Sequence, residues 1–294
     1  MRKTIFLLAL FLFAWVNFSF ALDWIKLHEE ADKESVDQAK SKSLAKPDSV
    51  DNLYVLGLVY LNVHKDKEAI EVFEKILALK PDTFEAQWGQ AEVLRRQHEL
   101  KASKKILNEV LRAHPDFSPA YITLAYVKYI EMDFNGSVRL ANKVIDRGKK
   151  GSDLSNYVRA ILLYGGAKGV IAHYGGLLSK LINGMAVFSN LKKAENLQPD
   201  SAAVKYGLGS FYLLAPGFVG GDLKLAEEYL AKAVELDPLF PNAYVRLGEV
   251  YKVKGDKQGY GSYLKKALEI DPQNEIAISV RDGTCKYVCA EPRD

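Results

Sequence analysis

The chain has 294 residues, 26% of them charged, with 40 Lys and Arg against 37 Asp and Glu. So even a balance supplies no basic field for nucleic acid or anionic lipid, and the charges read as an ordinary solvated surface. The length is large for a single compact core but natural for a repeat array.

Residues 1–21, MRKTIFLLALFLFAWVNFSFA, open with Arg2 and Lys3, run apolar from Ile5 to Val16, and end with Ser19 and Ala21 in small-x-small spacing. The pattern predicts a secretory signal peptide cut before Leu22. Its twelve apolar residues fall short of the roughly 20 needed to span a bilayer, so no stable membrane anchor is expected. The residue after the cut is Leu22 and not Cys, which speaks against a lipid-modified terminus. The expected location is the periplasm or the secreted medium. Residues 22–294 contain no Pro/Ser-rich linker or low-complexity stretch and read as one domain.

From Asp23 to Lys46 the sequence is rich in Lys and Glu and predicts one or two amphipathic helices that cap an array end. A repeat follows. In LYVLGLVYLNVHKDKEAIEVFEKILALKP, Leu53, Leu56, Gly57, Tyr60, Ala69, Phe73 and Pro81 fall in fixed register. This spacing resembles the tetratricopeptide repeat, W-x2-L-G-x2-Y followed by A-x3-F and a closing Pro over a unit of about 34 residues. Pro47, Pro81 and Pro115 keep that interval, as do Pro238 and Pro272, and Tyr244 to Tyr251 restates the first-helix motif as YVRLGEVY. The resemblance implies an all-α, right-handed solenoid of five or six helical hairpins, with a C-terminal cap from Asn274 to Arg281.

Two intervals are too long. Pro115 to Pro199 exceeds two repeats, and the excess falls near 164–185 in the Gly-rich run LLYGGAKGVIAHYGGLLSKLING. Pro199 to Pro238 exceeds one repeat, and the excess falls in the hairpin turn at 215–222, APGFVGGD. Equivalent turns of a solenoid share an edge, so these insertions should be neighbours. Gly165, Gly166, Tyr174, Pro216, Phe218, Gly220 and Gly221 mark that edge. The insertions either cover one another and seal a seam or build a mouth for a partner.

Little in the chain suggests catalysis. The five histidines, His28, His64, His98, His114 and His173, have neither metal-ligand spacing nor a cysteine nearby. GLGSF and GYGSY do not fit a nucleophile elbow, and GGAKG lacks the register of a phosphate loop. No enzyme, metal or cofactor is expected. The only cysteines, Cys285 and Cys289, predict a local disulfide in an exported chain.

Stepping by the repeat along the first helices places Tyr54, Trp88, Ile122 and Tyr206 on the inward face, Tyr126 one turn on, and Arg95, Arg96 and Tyr129 beyond. Aromatic stripes of this kind are core packing or a binding wall. As a wall, with two arginines, they suit an extended peptide or an apolar ligand carrying a carboxylate. GLGSFYLLAPGFVGGDLKLAEEYLAKAVELDP, with the upstream YGGAKGVIAHYGG, is also similar to exported repeat proteins related to the T component of tripartite ATP-independent periplasmic transporters. That resemblance implies association with a periplasmic solute-binding protein. Two functional readings follow: an exported, non-catalytic scaffold that binds an envelope protein or peptide segment in its groove, and a ligand-binding accessory of solute uptake.

Overall fold

The structure, a computed structural model, describes residues 22–291. The predicted signal peptide lies outside the described residues. Fifteen α-helices and no strand occur among them. Six hairpins form the array: α3 (Val50–Asn62) with α4 (Asp66–Leu79), α5 (Phe84–Arg96) with α6 (Leu100–Ala113), α7 (Ser118–Ile130) with α8 (Phe134–Arg147), α9 (Leu154–Tyr174) with α10 (Leu177–Leu197), α11 (Ala202–Leu214) with α12 (Leu223–Leu236), and α13 (Pro241–Val253) with α14 (Lys257–Ile270). The short α1 (Trp24–Ala31), α2 (Val36–Ala45) and α15 (Glu275–Arg281) complete the chain.

Local chemistry starts and stops these helices. Ser49, Asp133, Asp222 and Asp256 accept hydrogen bonds from backbone N–H groups of the first turns of α3, α8, α12 and α14, satisfying donors that have no helical acceptor. At the turns inside the hairpins, His64, His98, Met132 and Gly255 all have positive φ, between 58° and 80°. In the following residue, the N–H reaches back to a carbonyl of the first helix, as in Lys65 to Tyr60 and Glu99 to Leu94, both 2.9 Å. This left-handed closure satisfies carbonyls at the helix end and turns the chain back on itself.

Packing follows the register. Phe73, fully buried on α4, lies against Gly57 of α3 and Gly89 of α5, and a Cβ at either glycine would come within 2.6 Å of its ring. One side chain thereby joins two consecutive repeats. Leu230 stands similarly against Gly209, again at 2.6 Å from an added Cβ.

The insertions differ in kind. The Gly-rich run at 164–185 is not a loop but lengthens both partners of its hairpin, so that α9 and α10 have 21 residues each while the other array helices have 13 or 14. Only Gly175 and Gly176 make the turn. The 215–222 insertion is a true loop: Val219 and Gly221 donate to Pro216 O, Asp222 donates to Tyr212 O, and Gly220 has φ 106°. That last angle is the one position in the loop that demands glycine.

The array curls until its ends meet. His64 Nε2 lies 3.0 Å from Asp237 Oδ2. One repeat later His98 Nε2 lies 3.1 Å from Asp271 Oδ1, and its Nδ1 lies 2.8 Å from Glu275 Oε1. Both rungs join residues 173 apart, because both partners advance by one repeat.

Candidate binding site

The concave face divides into an occupied half and an open half. Near the start of the array α1 lies along it rather than across its end. His28 of α1 is buried, with Nε2 3.0 Å from Tyr54 Oη and Nδ1 3.1 Å from Asn156 Nδ2. Burial holds this imidazole below its ordinary pKa against the pull of Asp153. It is therefore neutral, Nδ1 accepting from the amide and Nε2–H donating to the phenol. Trp24 packs edge-on against Phe117, and Ser155 donates to Asp32. Helix α1 thus touches α3, α7 and α9, while α2 alone acts as the expected end cap.

Tyr54 and Trp88 are accordingly not an open wall. They are 0% and 2% exposed beneath α1. Trp88 Nε1 donates to Thr123 Oγ1, which donates to Glu92 Oε2. Register gave their direction correctly, but the chain supplies its own occupant there.

Further along, the same face surrounds a partly open cavity of about 1410 Å³. Tyr126, Tyr129, Tyr206, Arg95 and Arg96 line it, as do Gly165, Gly166, Pro216 and Phe218 from the two insertions. Residues of the predicted groove and of the predicted insertion edge thus line one cavity. A Cβ at Gly165 or Gly166 would meet no atom within 4 Å, so these glycines leave space beside the cavity. Gly220 and Gly221 shape the loop behind Phe218. Tyr174 stands apart, donating to Cys285 O at 2.7 Å.

The arginines need separate treatment. Arg95 donates twice to Glu92, at 2.7 and 3.0 Å, and its guanidinium lies 5.1 Å from the Tyr126 ring centroid. Arg96 donates to Glu92, Leu61 O and Asp66. Burial would raise the Glu92 carboxyl, yet Arg95 and Arg96, with a smaller contribution from Arg159, hold it far below the usual range. Arg95 and Arg96 are thus already committed to carboxylates. Arg159, which also lines the cavity, makes no ion pair among the described residues.

At the far side the C-terminal segment closes the wall. Buried Arg246 donates to Glu249 Oε2 at 2.5 Å, Val288 O at 2.7 Å and Tyr287 O at 2.9 Å, and Glu249 Oε1 accepts from Ala290 N. The Tyr287 ring stacks on Tyr129 with centroids 5.7 Å apart. Cys285 and Cys289 are joined as a disulfide. Sequence reasoning passed over Glu92 and Glu249, although a visible signal existed. Both fall at the repeat position of Tyr126 on the inward face, where an acid is out of place unless a cation faces it.

Two family models match the chain: the second ARM domain of tetratricopeptide repeat protein 21 over residues 48–155, and the tetratricopeptide repeat over 220–238 and 241–274. The chain is a tetratricopeptide-repeat protein. Among solved structures, this tetratricopeptide array is similar to the APC/C hetero-tetramer Cut9–Hcn1, with 18% identity and a TM-score of 0.54 over 87% of this chain and 47% of that one. It spans about half the length of that relative. It is also similar to a tetratricopeptide repeat protein from Parabacteroides merdae ATCC 43184, with 15% identity and a TM-score of 0.52 over 87% of this chain and 98% of that one. At such identities the likeness is one of fold. No curated protein matches the chain.

Among the described residues no group of three or more His, Cys, Asp and Glu is placed to hold a metal. No described helix is long and apolar enough to cross a membrane.

Proposed function

We propose that this tetratricopeptide-repeat protein is an exported, non-catalytic scaffold that receives an apolar segment of an envelope protein through the mouth of its central cavity. The observation that carries this reading is the apolar surface continuous with the cavity lining. Phe218 is 93% exposed and Met185 74%, and both reach the cavity. Leu178 and Ile182 extend the surface along α10 at helical spacing, also well exposed. Contiguous apolar surface of this kind marks interaction sites more often than scattered single residues do. A periplasmic solute-binding protein, the partner implied by the transporter resemblance, belongs to the class that could dock there.

A second reading is supported by Arg159. Its guanidinium lines the cavity outside any salt bridge, although its charge also acts on Glu92, and it suits a small apolar acid with the carboxylate on the guanidinium and the chain toward the mouth. One experiment separates the readings: a photoreactive amino acid at position 218 of the exported protein, combined with native mass measurement. A polypeptide adduct at 218, lost on Met185→Ser, is expected from the scaffold. A retained small acid, lost on Arg159→Gln, is expected from the accessory. Neither signal would overturn both.

A further inference from the structure

Glu85 is the second residue of α5 and is 1% exposed. It makes no ion pair among the described residues, and its Oε1 accepts from the backbone nitrogen of Leu22 at 3.2 Å. Burial pushes the carboxyl up to about 7, opposed by hydrogen bonds from its own N–H and that of Leu22. The other charges acting on it are Lys80, just past the end of α4, which lowers its pKa, and Asp51, in the first turn of α3, which raises it. The start of a helix favours a carboxylate, but neutral donors compensate a buried charge incompletely.

The identity of the donor supplies the second observation. Leu22 is the residue that follows the small-x-small sequence ending in Ala21. In the full chain its nitrogen is a neutral amide. Hydrolysis of the preceding peptide bond adds the water oxygen to the Ala21 carbonyl carbon and breaks the C–N bond. The carboxylic acid so formed gives its proton to the released amine, leaving a carboxylate on one product and an α-ammonium on the other. With an ordinary pKa of about 7.7–8.0, that amine is mostly charged at neutral pH.

We infer that cleavage before Leu22 turns the Leu22–Glu85 hydrogen bond into an ion pair, and that this pair locks α1 into the groove. No rearrangement is needed, since the nitrogen already lies within ion-pair distance of the carboxylate. The segment that follows is held independently by Trp24 against Phe117 and by His28 on Tyr54, so the new terminus stays beside Glu85. Cutting one residue earlier would place a neutral amide at the same point. The structure therefore distinguishes a cut at this bond from cuts nearby.

The sign of the pH effect follows from the two groups. Without the ammonium, a Glu85 raised to about 7 makes stability fall as pH climbs from the unfolded value near 4.3 toward 7. With it, the carboxylate has its cation across that window. The ammonium, raised by its partner, then contributes stability below about pH 8 that is lost as pH rises through its folded value.

The test uses the full chain expressed in a secreting bacterium. Intact mass and N-terminal sequencing of the exported product should give Leu22 as first residue. After reductive methylation with 13C-formaldehyde, NMR titration should place the α-amine about one unit or more above its ordinary range, and Glu85→Gln should return it. If Glu85→Gln does not accumulate, a chain with one Ala inserted between Ala21 and Leu22 decides. It keeps Glu85 but displaces the amine, and it should melt several degrees lower at pH 7, with the loss growing from pH 5 to pH 7. A different first residue, an α-amine that titrates alike with and without Glu85, or an unchanged melting curve for the inserted chain would overturn the inference.

Discussion

At the Tyr54 and Trp88 positions of α3 and α5 the concave face is filled by α1, which seals both rings beneath it. Beyond them the same face, from Arg95 and Tyr126 through Tyr206 to Arg246, encloses about 1410 Å³ and opens beside Phe218. The helices of the two halves present the same register positions. What differs is whether another segment of the chain covers them. Inward orientation is a property of the repeat, whereas exposure depends on residues far away in sequence. A binding wall and a core are the same surface with and without an occupant.

Substitutions can break this contrast. Trp88→Ala should cost about 3–5 kcal/mol in urea unfolding, as a buried aromatic does. Tyr126→Ala, at the cavity, should cost about 1 kcal/mol. Equal losses would erase the distinction between the halves. Glu249→Gln should follow at about 3 kcal/mol, because Arg246 is left as a buried, uncompensated charge. Amide exchange should show the tail from Tyr287 to Ala290 opening with it, and a tail that stays protected would mean that the disulfide alone secures it.

The closure contacts set a smaller, pH-dependent effect. Asp271 and Glu275 raise the His98 imidazole to about 9. A raised histidine contributes stability in full below about pH 6.5, lost as pH rises through 9. After allowance for solvent screening the contribution is about 1 kcal/mol. His98→Asn, which tolerates the left-handed turn, should differ from the parent at pH 6 and converge with it above pH 9. A constant difference across that range would remove the histidine charge from the account. The smallest effect belongs to Phe218→Ser, which should leave stability within about 0.5 kcal/mol while abolishing capture of a partner. A marked stability loss would identify Phe218 as packing rather than as part of a mouth.

The sequence carried the array well, since Gly57, Phe73 and the spaced prolines each act over one repeat and can be recognised without knowing the rest. The long interval around Gly165 and Gly166 was visible, but its conformation was not. The glycines marked an insertion, yet the residues around them continue two helices, with Ala167, Val170 and Ala172 of α9 buried. Trp88 illustrates a different limit. Its direction was legible from register, but its burial depends on α1, and nothing local in a short amphipathic segment specifies whether it caps an end or enters a groove. The ladder from His64 and His98 to Asp237 and Asp271 depends on accumulated curvature over many repeats, which no short window contains.

That ladder also changes how the array can come apart. An open solenoid behaves as a linear chain of coupled units, and its terminal units fray first because each has one neighbour instead of two. Joining the second hairpin to the sixth through His98, Asp271 and Glu275 gives outer units a second neighbour. Loss of any one repeat then breaks contacts on both sides of a loop. The expected result is a single cooperative transition in place of stepwise peeling, with the ends as protected from exchange as the middle.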